Sequence, residues 1–241
     1  MTSGQPTDGT DVTHLQTLLE SAECVLFDFD GPVCQLFAAH SAADVTATLA
    51  AAVDRSEPDL LTDEQRQGAD PLGILRSVAA ARPGSPLVRQ VEQLLAREER
   101  RAAVHARPTE YADPLIRTLA SSHTLAITSN NSPGAIHEYL NTRAGVGSCF
   151  ESVYGRAESA EHLKPDPYCL VCALDSTGAA RDQTLMIGDA PADYEAARRA
   201  GVGFIGFASQ ESREHALREA GARTIVTSLE ELLEAARTVR H

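Results

Sequence analysis

Asp28 and Asp30 stand two residues apart in Asp28-Phe29-Asp30-Gly31, directly after the apolar run Cys24-Val25-Leu26-Phe27. In extended backbone, side chains at i and i+2 point the same way, so both carboxylates reach one side of the strand end. Two like charges that close cost solvation and repel unless a cation or a substrate group compensates them. A centre that binds a divalent metal and attacks phosphorus needs this pair. The same residues also read as an ordinary strand running into a turn, since Asp and Gly are turn formers.

Three further motifs follow in chain order. Ser129-Asn130 closes the run Leu125-Ala-Ile-Thr128. Ligands of parallel sheets bind beyond the carboxyl ends of strands, where a hydroxyl and an amide can hold phosphate oxygens, although Ser-Asn-Asn is also a common turn. Lys164-Pro165-Asp166-Pro167 contains the one lysine of the chain; every other basic residue is arginine. The prolines and Asp166 suit a helix entry with Asp166 as N-cap, whereas the lysine has no such structural reason and offers a point charge for a carboxylate or a phosphoryl group. Finally, Met186-Ile-Gly-Asp189-Ala-Pro-Ala-Asp193 reads as a strand ending in Gly-Asp and a helix opening at Pro191. Asp189 and Asp193 lie near that helix start, where acids also serve as simple dipole partners.

In this order the four motifs resemble the haloacid dehalogenase (HAD) superfamily, in its phosphatase-like branch, and the resemblance runs from about Cys24 to the end of the chain. It implies that Asp28 is the nucleophile and that Asp30 protonates the leaving oxygen and then activates water. It implies that Ser129, with Asn130 and Gly31, binds the phosphoryl group, and that Lys164 holds Asp28 and the phosphate. Mg²⁺ would be held by Asp28, the backbone carbonyl of Asp30 and Asp189, with Asp193 ligating the ion or orienting its waters. The implied activity is a Mg²⁺-dependent phosphohydrolase that cleaves a small-molecule phosphate monoester through an aspartyl-phosphate. A sugar-phosphate mutase, or a non-catalytic phosphometabolite-binding protein, would carry the same core. Dehalogenating relatives lack the second carboxylate that Asp30 supplies, and relatives that cleave carbon–phosphorus bonds use a lysine in a helical cap, a region that has none here. Two departures stand out: Pro32, where the family usually has threonine, which alters the loop's hydrogen bonds, and Tyr111-Ala112, where a Pro-Gly turn is common.

The elements that must position these groups follow from periodicity. Residues 24–27 and 125–128 read as buried strands. Between them, from about Gln35 to Ala106, apolar residues recur at helical spacing (Val45, Leu49, Val53; Leu72, Leu75, Val78; Leu87, Val91, Leu94, Leu95), broken at Glu57-Pro58-Asp59, at Gly68 to Pro71 and at Arg82 to Pro86. This predicts an insert of three or four helices without strands. Helices over 133–141, 166–176, 191–200, 212–220 and 229–238 alternate with strands over 150–154, 184–188, 203–207 and 223–226. The fold class is therefore α/β, a Rossmann-like parallel sheet covered by helices on both faces, with an inserted α-helical cap. The domain reading is a tail and lead-in helix over 1–20, a core over 21–33 and 108–241, and a cap over 34–107, with hinges at Pro32-Val33-Cys34 and Arg107-Pro108-Thr109. Gln35, Phe37, His40, Arg66, Asp70 and Arg76 are the cap candidates for substrate contact, and Gly73 is expected in a cap loop near the phosphate site.

Composition sets the outer bounds. With 43% hydrophobic residues in 241, a real core is available. A formal net charge of −13 disfavours nucleic-acid and anionic-membrane partners, so an anion site must be built locally. No apolar stretch approaches the ~18 to 20 residues of a membrane span, and the polar stretch over residues 1–13 is not a signal peptide. Five cysteines, an odd number, point to free thiols and a reducing, cytoplasmic setting. Cys169-x-x-Cys172 falls in an apolar helix face with no second metal half-site, and the eight histidines form no metal-spaced group. The expected partner is a small phosphorylated metabolite, with the chain a monomer or weak homodimer.

Overall fold

In the computed structural model, which describes residues 12–157 and 160–239, β1 (Cys24–Phe27) is buried along its whole length and forms the centre of a six-stranded sheet. Of the tail and lead-in helix expected over residues 1–20, residues 1–11 lie outside the described residues. On one side of β1 comes β4 (Thr124–Thr128) and then β5 (Ser152–Tyr154); on the other come β6 (Thr184–Gly188), β7 (Gly203–Phe207) and β8 (Ile225–Val226). Every pairing in this sheet is parallel. The pleat sends Val25 and Phe27 to one face, into a cluster with α1 (Val12–Glu20), α6 (Ala112–Leu119), α7 (Pro133–Thr142) and α11 (Leu229–Thr238). Cys24 and Leu26 go to the other, against α8 (Tyr168–Thr177) and α9 (Pro191–Ala200). Burial on both faces is why these strands are unbroken apolar runs without polar alternation.

The insert comprises α2 (Ala42–Asp54), α3 (Asp63–Gln67), α4 (Pro71–Ala81) and α5 (Pro86–Ala103). The first, third and fourth of these share a hydrophobic cluster of their own that includes Val45, Leu49, Val53, Leu75, Val78, Leu87, Val91 and Leu95. Leu72 and Leu94 pack at its margin. The far end of α5 belongs to the α/β core instead, where Ala102 and Ala103 join the sheet's main cluster.

Three local expectations are revised. The connecting segments, expected to be strand-free, pair as a two-residue antiparallel ribbon, β2 (Cys34–Gln35) with β3 (Arg107–Pro108). Two residues are too few to show a period. Helix α6 was not predicted; it opens at Tyr111, which takes up left-handed backbone (φ 64°). Asp166 is not the N-cap of α8: that position is Pro167, although Asp166 Oδ1 accepts the Tyr168 N–H at 2.9 Å from one residue further out. Helices α9 and α10 (Glu211–Ala220) end on Gly201 and Gly221 in left-handed backbone.

Candidate active site

Parallel register brings three chain-distant motifs to one place. Phe27 is level with Ile127 on β4 and with Ile187 on β6, so the next residues, Asp28, Thr128 and Gly188, share one edge of the sheet. The Asp28 N–H donates to the Ile187 carbonyl at 2.9 Å, which fixes the nucleophile candidate as β1 ends. Ser129 and Asp189 follow one residue beyond the tips of β4 and β6. This is the carboxyl edge at which open α/β sheets bind ligands.

Lys164 is 1% exposed. Its Nζ donates to Asp28 Oδ1 at 2.7 Å and to the Thr128 carbonyl at 3.0 Å, and lies 2.6 Å from Asp193 Oδ1. Burial alone would push its pKa down, but the Asp193 and Asp28 carboxylates outweigh burial and hold it above the ordinary lysine range. The lysine is therefore a fixed cation. Burial pushes the Asp28 carboxyl up, to about 6, against the lowering influence of Lys164.

Asp30 is held apart from this cluster. Its Oδ1 accepts the Leu36 N–H at 2.8 Å, and burial raises its pKa, opposed by that hydrogen bond and by the charge of Arg213. A carboxyl whose proton is retained to higher pH suits an acid–base role. The carboxylate oxygens that lie within 4.8 Å of one another belong to Asp28, Asp189 and Asp193, so the Asp30 side chain is no part of that group.

Gly31 has φ 124°, and a Cβ there would sit 2.3 Å from Asp189 Oδ2. Only glycine lets the loop approach that carboxylate. Its N–H, however, donates to the Cys34 carbonyl at 2.7 Å, and its carbonyl accepts the Thr109 hydroxyl. Gly31 thus shapes the loop and does not present a free donor to substrate. Pro32 costs this loop nothing: Val33 and Cys34 both donate to the Phe29 carbonyl, and Gly31 closes back on Cys34.

Asn130 has a different task from the one its motif suggests. Its Oδ1 accepts the Lys164 N–H at 2.7 Å, and its Nδ2 donates to the Lys164 carbonyl at 3.3 Å. It clamps the lysine's backbone with both ends of its amide. The Ser129 hydroxyl donates to Asn131 Oδ1 at 3.0 Å and faces the same cavity as Asp28 and Lys164. Asp193 uses its second oxygen on the N–H groups of Asp189 (3.2 Å) and Ala190 (3.0 Å), so it is a buried bracket between Lys164 and the start of α9.

The cap candidates divide. Arg76 donates to the Lys164 carbonyl at 3.0 Å, and Asp70 and Phe37 line the cavity of about 330 Å³ between the insert and the core. Gln35 lines an adjoining cavity of about 520 Å³. His40 pairs with Glu98, and Arg66 pins Asp54, Asp63 and the Pro58 carbonyl, so both are engaged within or beside the insert. Gly73 is not in a loop. It lies in the first turn of α4, where its N–H donates to the N-cap Asp70, and a Cβ would meet Asp70 Oδ2 at 2.4 Å.

Two groups escaped the sequence reading. Arg156, fully buried, makes two hydrogen bonds to Glu99 of α5 (2.8 and 2.9 Å), one to Glu92 (3.4 Å) and one to the Asn130 carbonyl (2.7 Å). Glu99 also accepts from Asn131 and from the Ser132 N–H. This network ties α5 to the loop after β4, and nothing in a surface-like run of Arg and Glu announces it. Arg213 of α10 makes an ionic contact with Asp189 Oδ2, an oxygen that is buried and makes no hydrogen bond. Its neighbours Ser209 to Glu214 read as a solvated helix start.

Six carboxylates line this cavity (Asp28, Asp30, Asp70, Glu99, Asp189 and Asp193) against three cations, Arg76, Lys164 and Arg213. The charge deficit, the all-oxygen donor set, the buried Asp189 Oδ2 and the close approach of Gly31 suit a hard divalent cation. Cys169 and Cys172 are free and sit in α8, and burial pushes the Cys169 thiol up to about 11, as expected for a packing residue.

Residues 22–201 match the family model for a haloacid dehalogenase-like hydrolase. A phosphoglycolate phosphatase of Rhodospirillum rubrum is 34% identical over 90 residues, 37% of this chain and 36% of that one. One of Aliivibrio fischeri is 35% identical over 89 residues, 37% of this chain and 38% of that one. The matched stretch thus spans little more than a third of each curated relative. A haloacid dehalogenase-like hydrolase from Bacteroides fragilis superposes with a TM-score of 0.67 at 20% identity, covering 88% of this chain and 99% of the other, a likeness of fold.

Proposed function

The chain belongs to the haloacid dehalogenase-like hydrolases, and from that membership we propose that it is a phosphatase acting on a small-molecule phosphate monoester. The observation that carries the proposal is the junction of Asp28, Lys164 and Asp189 at the tips of adjacent strands, with Asp30 held separately by Leu36. The match to two phosphoglycolate phosphatases supports the same reaction class.

In this reading an Asp28 oxygen attacks phosphorus and the ester oxygen leaves with a proton from Asp30. The resulting aspartyl-phosphate is hydrolysed by water that Asp30 deprotonates. Covalent catalysis replaces one difficult step by two easier ones. Lys164 neutralises Asp28 before attack and faces the charge that develops on the phosphoryl oxygens, at a site where burial strengthens electrostatics. Ser129 hydrogen-bonds the phosphoryl group, while Asn130 and Asp193 keep the lysine in place. Asp28 and Asp189, with Asp193 behind them, would hold Mg²⁺, which when bound supplies Lewis-acid neutralisation of the phosphate dianion. The helical insert would act as a cap over the smaller cavity, with Arg76, Asp70 and Phe37 facing the substrate. Free cysteines are compatible with a cytoplasmic setting.

The test is inorganic phosphate release from a panel of phosphate monoesters, including phosphoglycolate, with Mg²⁺, with EDTA, and with Asp28→Asn. Mg²⁺-dependent release that the variant lacks is the expected result. Absence of release from every ester by folded protein would overturn the proposal, and transfer of phosphate to a second ester would mark a mutase.

A further inference from the structure

Among the described residues Arg213 is the one basic side chain that borders both cavities of the site, and it is joined to a buried carboxylate while remaining half exposed itself (side chains 49% and 5%). Its own helix does not explain it. A cation in the first turn of a helix opposes the macrodipole, and α10 already carries Glu211 and Glu214 there. Glu214 pairs with Arg218, and among the described residues Asp189 is the salt-bridge partner of Arg213. The arginine is therefore placed for Asp189. That contact uses Oδ2, the oxygen without a hydrogen bond in the carboxylate group that fits a divalent cation.

We propose that Arg213 and a divalent cation compete for Asp189 Oδ2, so that Arg213 sets the affinity of the metal centre and turns into the larger cavity when the cation binds. The inference rests on the metal-dependent reading above. A guanidinium and a dication on one oxygen repel each other, so each weakens the other's hold on it. Arg213 has somewhere to go: the 520 Å³ cavity that it lines also presents the Glu110 carboxylate and the hydrogen-bonding side chains Gln35, Ser209 and Gln210. Released there, the guanidinium is free for an anionic group on the non-reacting part of the substrate, and cation and substrate then favour each other's binding through Arg213.

The experiment is calorimetric titration of the full chain with MgCl₂ alone, for the wild type, Arg213→Ala, Arg213→Lys and Asp189→Asn. Competition requires Arg213→Ala to bind Mg²⁺ roughly three- to tenfold more tightly, since one ion pair no longer has to break. Arg213→Lys should fall between, and Asp189→Asn should lose binding. Arg213→Gln gives the same readout should the alanine variant not fold. Unchanged or weaker Mg²⁺ binding in the arginine variants, with binding intact in the wild type, overturns the competition and leaves the metal centre standing. No Mg²⁺ binding to any of the four proteins overturns both.

Discussion

Lys164 Nζ and Asp193 Oδ1 lie 2.6 Å apart, both almost wholly buried, although they come from opposite ends of two different motifs. The lysine is thereby held from behind by Asp193 while it faces Asp28 in front, so it is a fixed cation and a divalent ion would share those carboxylates with it.

Removing the lysine should consequently damage the fold as well as the chemistry. Lys164→Met leaves Asp28 and Asp193 buried against each other without their shared cation. A loss of about 3 to 5 kcal/mol is expected for breaking a buried pair in this way. Urea denaturation in EDTA measures it. Added Mg²⁺ should restore part of the loss by supplying charge to the same carboxylates.

Asn130→Ala distinguishes a clamp from a substrate ligand. Because both ends of the side chain bond the backbone of Lys164, the variant should lower kcat by about ten- to a hundredfold with little change in KM. A rise in KM at unchanged kcat would assign Asn130 to substrate binding instead. Ser129→Ala, by contrast, should raise KM.

The raised Asp28 carboxyl makes stability depend on pH with a defined sign. Its ordinary value is 3.8 and burial takes it to about 6, so between these values the folded chain holds a proton that the unfolded chain has released. Stability in EDTA therefore falls as pH rises through that window, and the whole penalty is present above it. Asp28→Asn removes the titration. It should flatten the slope and stabilise the protein at pH 7.5 by roughly 1 to 3 kcal/mol in EDTA, while abolishing phosphate release. Thermal melts from pH 4 to 8 test this.

Glu99→Ala should cost about 3 kcal/mol or more, because it strands the fully buried Arg156. Because the network joins α5 of the insert to the loop after β4, the loss should appear in the transitions of both the insert and the α/β core. Denaturant melts followed at separate core and insert probes check the assignment.

The sequence was sufficient for the order of strands and helices, because buried parallel strands are unbroken apolar runs and the helices keep a 3.6-residue period. The 184–188, 203–207 and 229–238 elements fall where that pattern puts them. It was also sufficient to single out Asp28, Lys164 and Asp189, which the fold brings together, the aspartates as acids at strand tips and the lysine as the one of its kind. Partnership was beyond its reach. That Asn130 grips Lys164, that Asp193 backs it, that Glu99 holds Arg156, and that Arg213 reaches Asp189 depend on contacts between residues 24 to 57 positions apart. Gly73 shows the same limit at short range: in sequence it marks a flexible loop, whereas in the fold it is the residue that lets Asp70 cap α4. Local patterns record which face of each element is buried. Which polar groups meet is decided only when the sheet's register and the packing of the insert bring them within hydrogen-bonding distance, and that is a property of the whole chain.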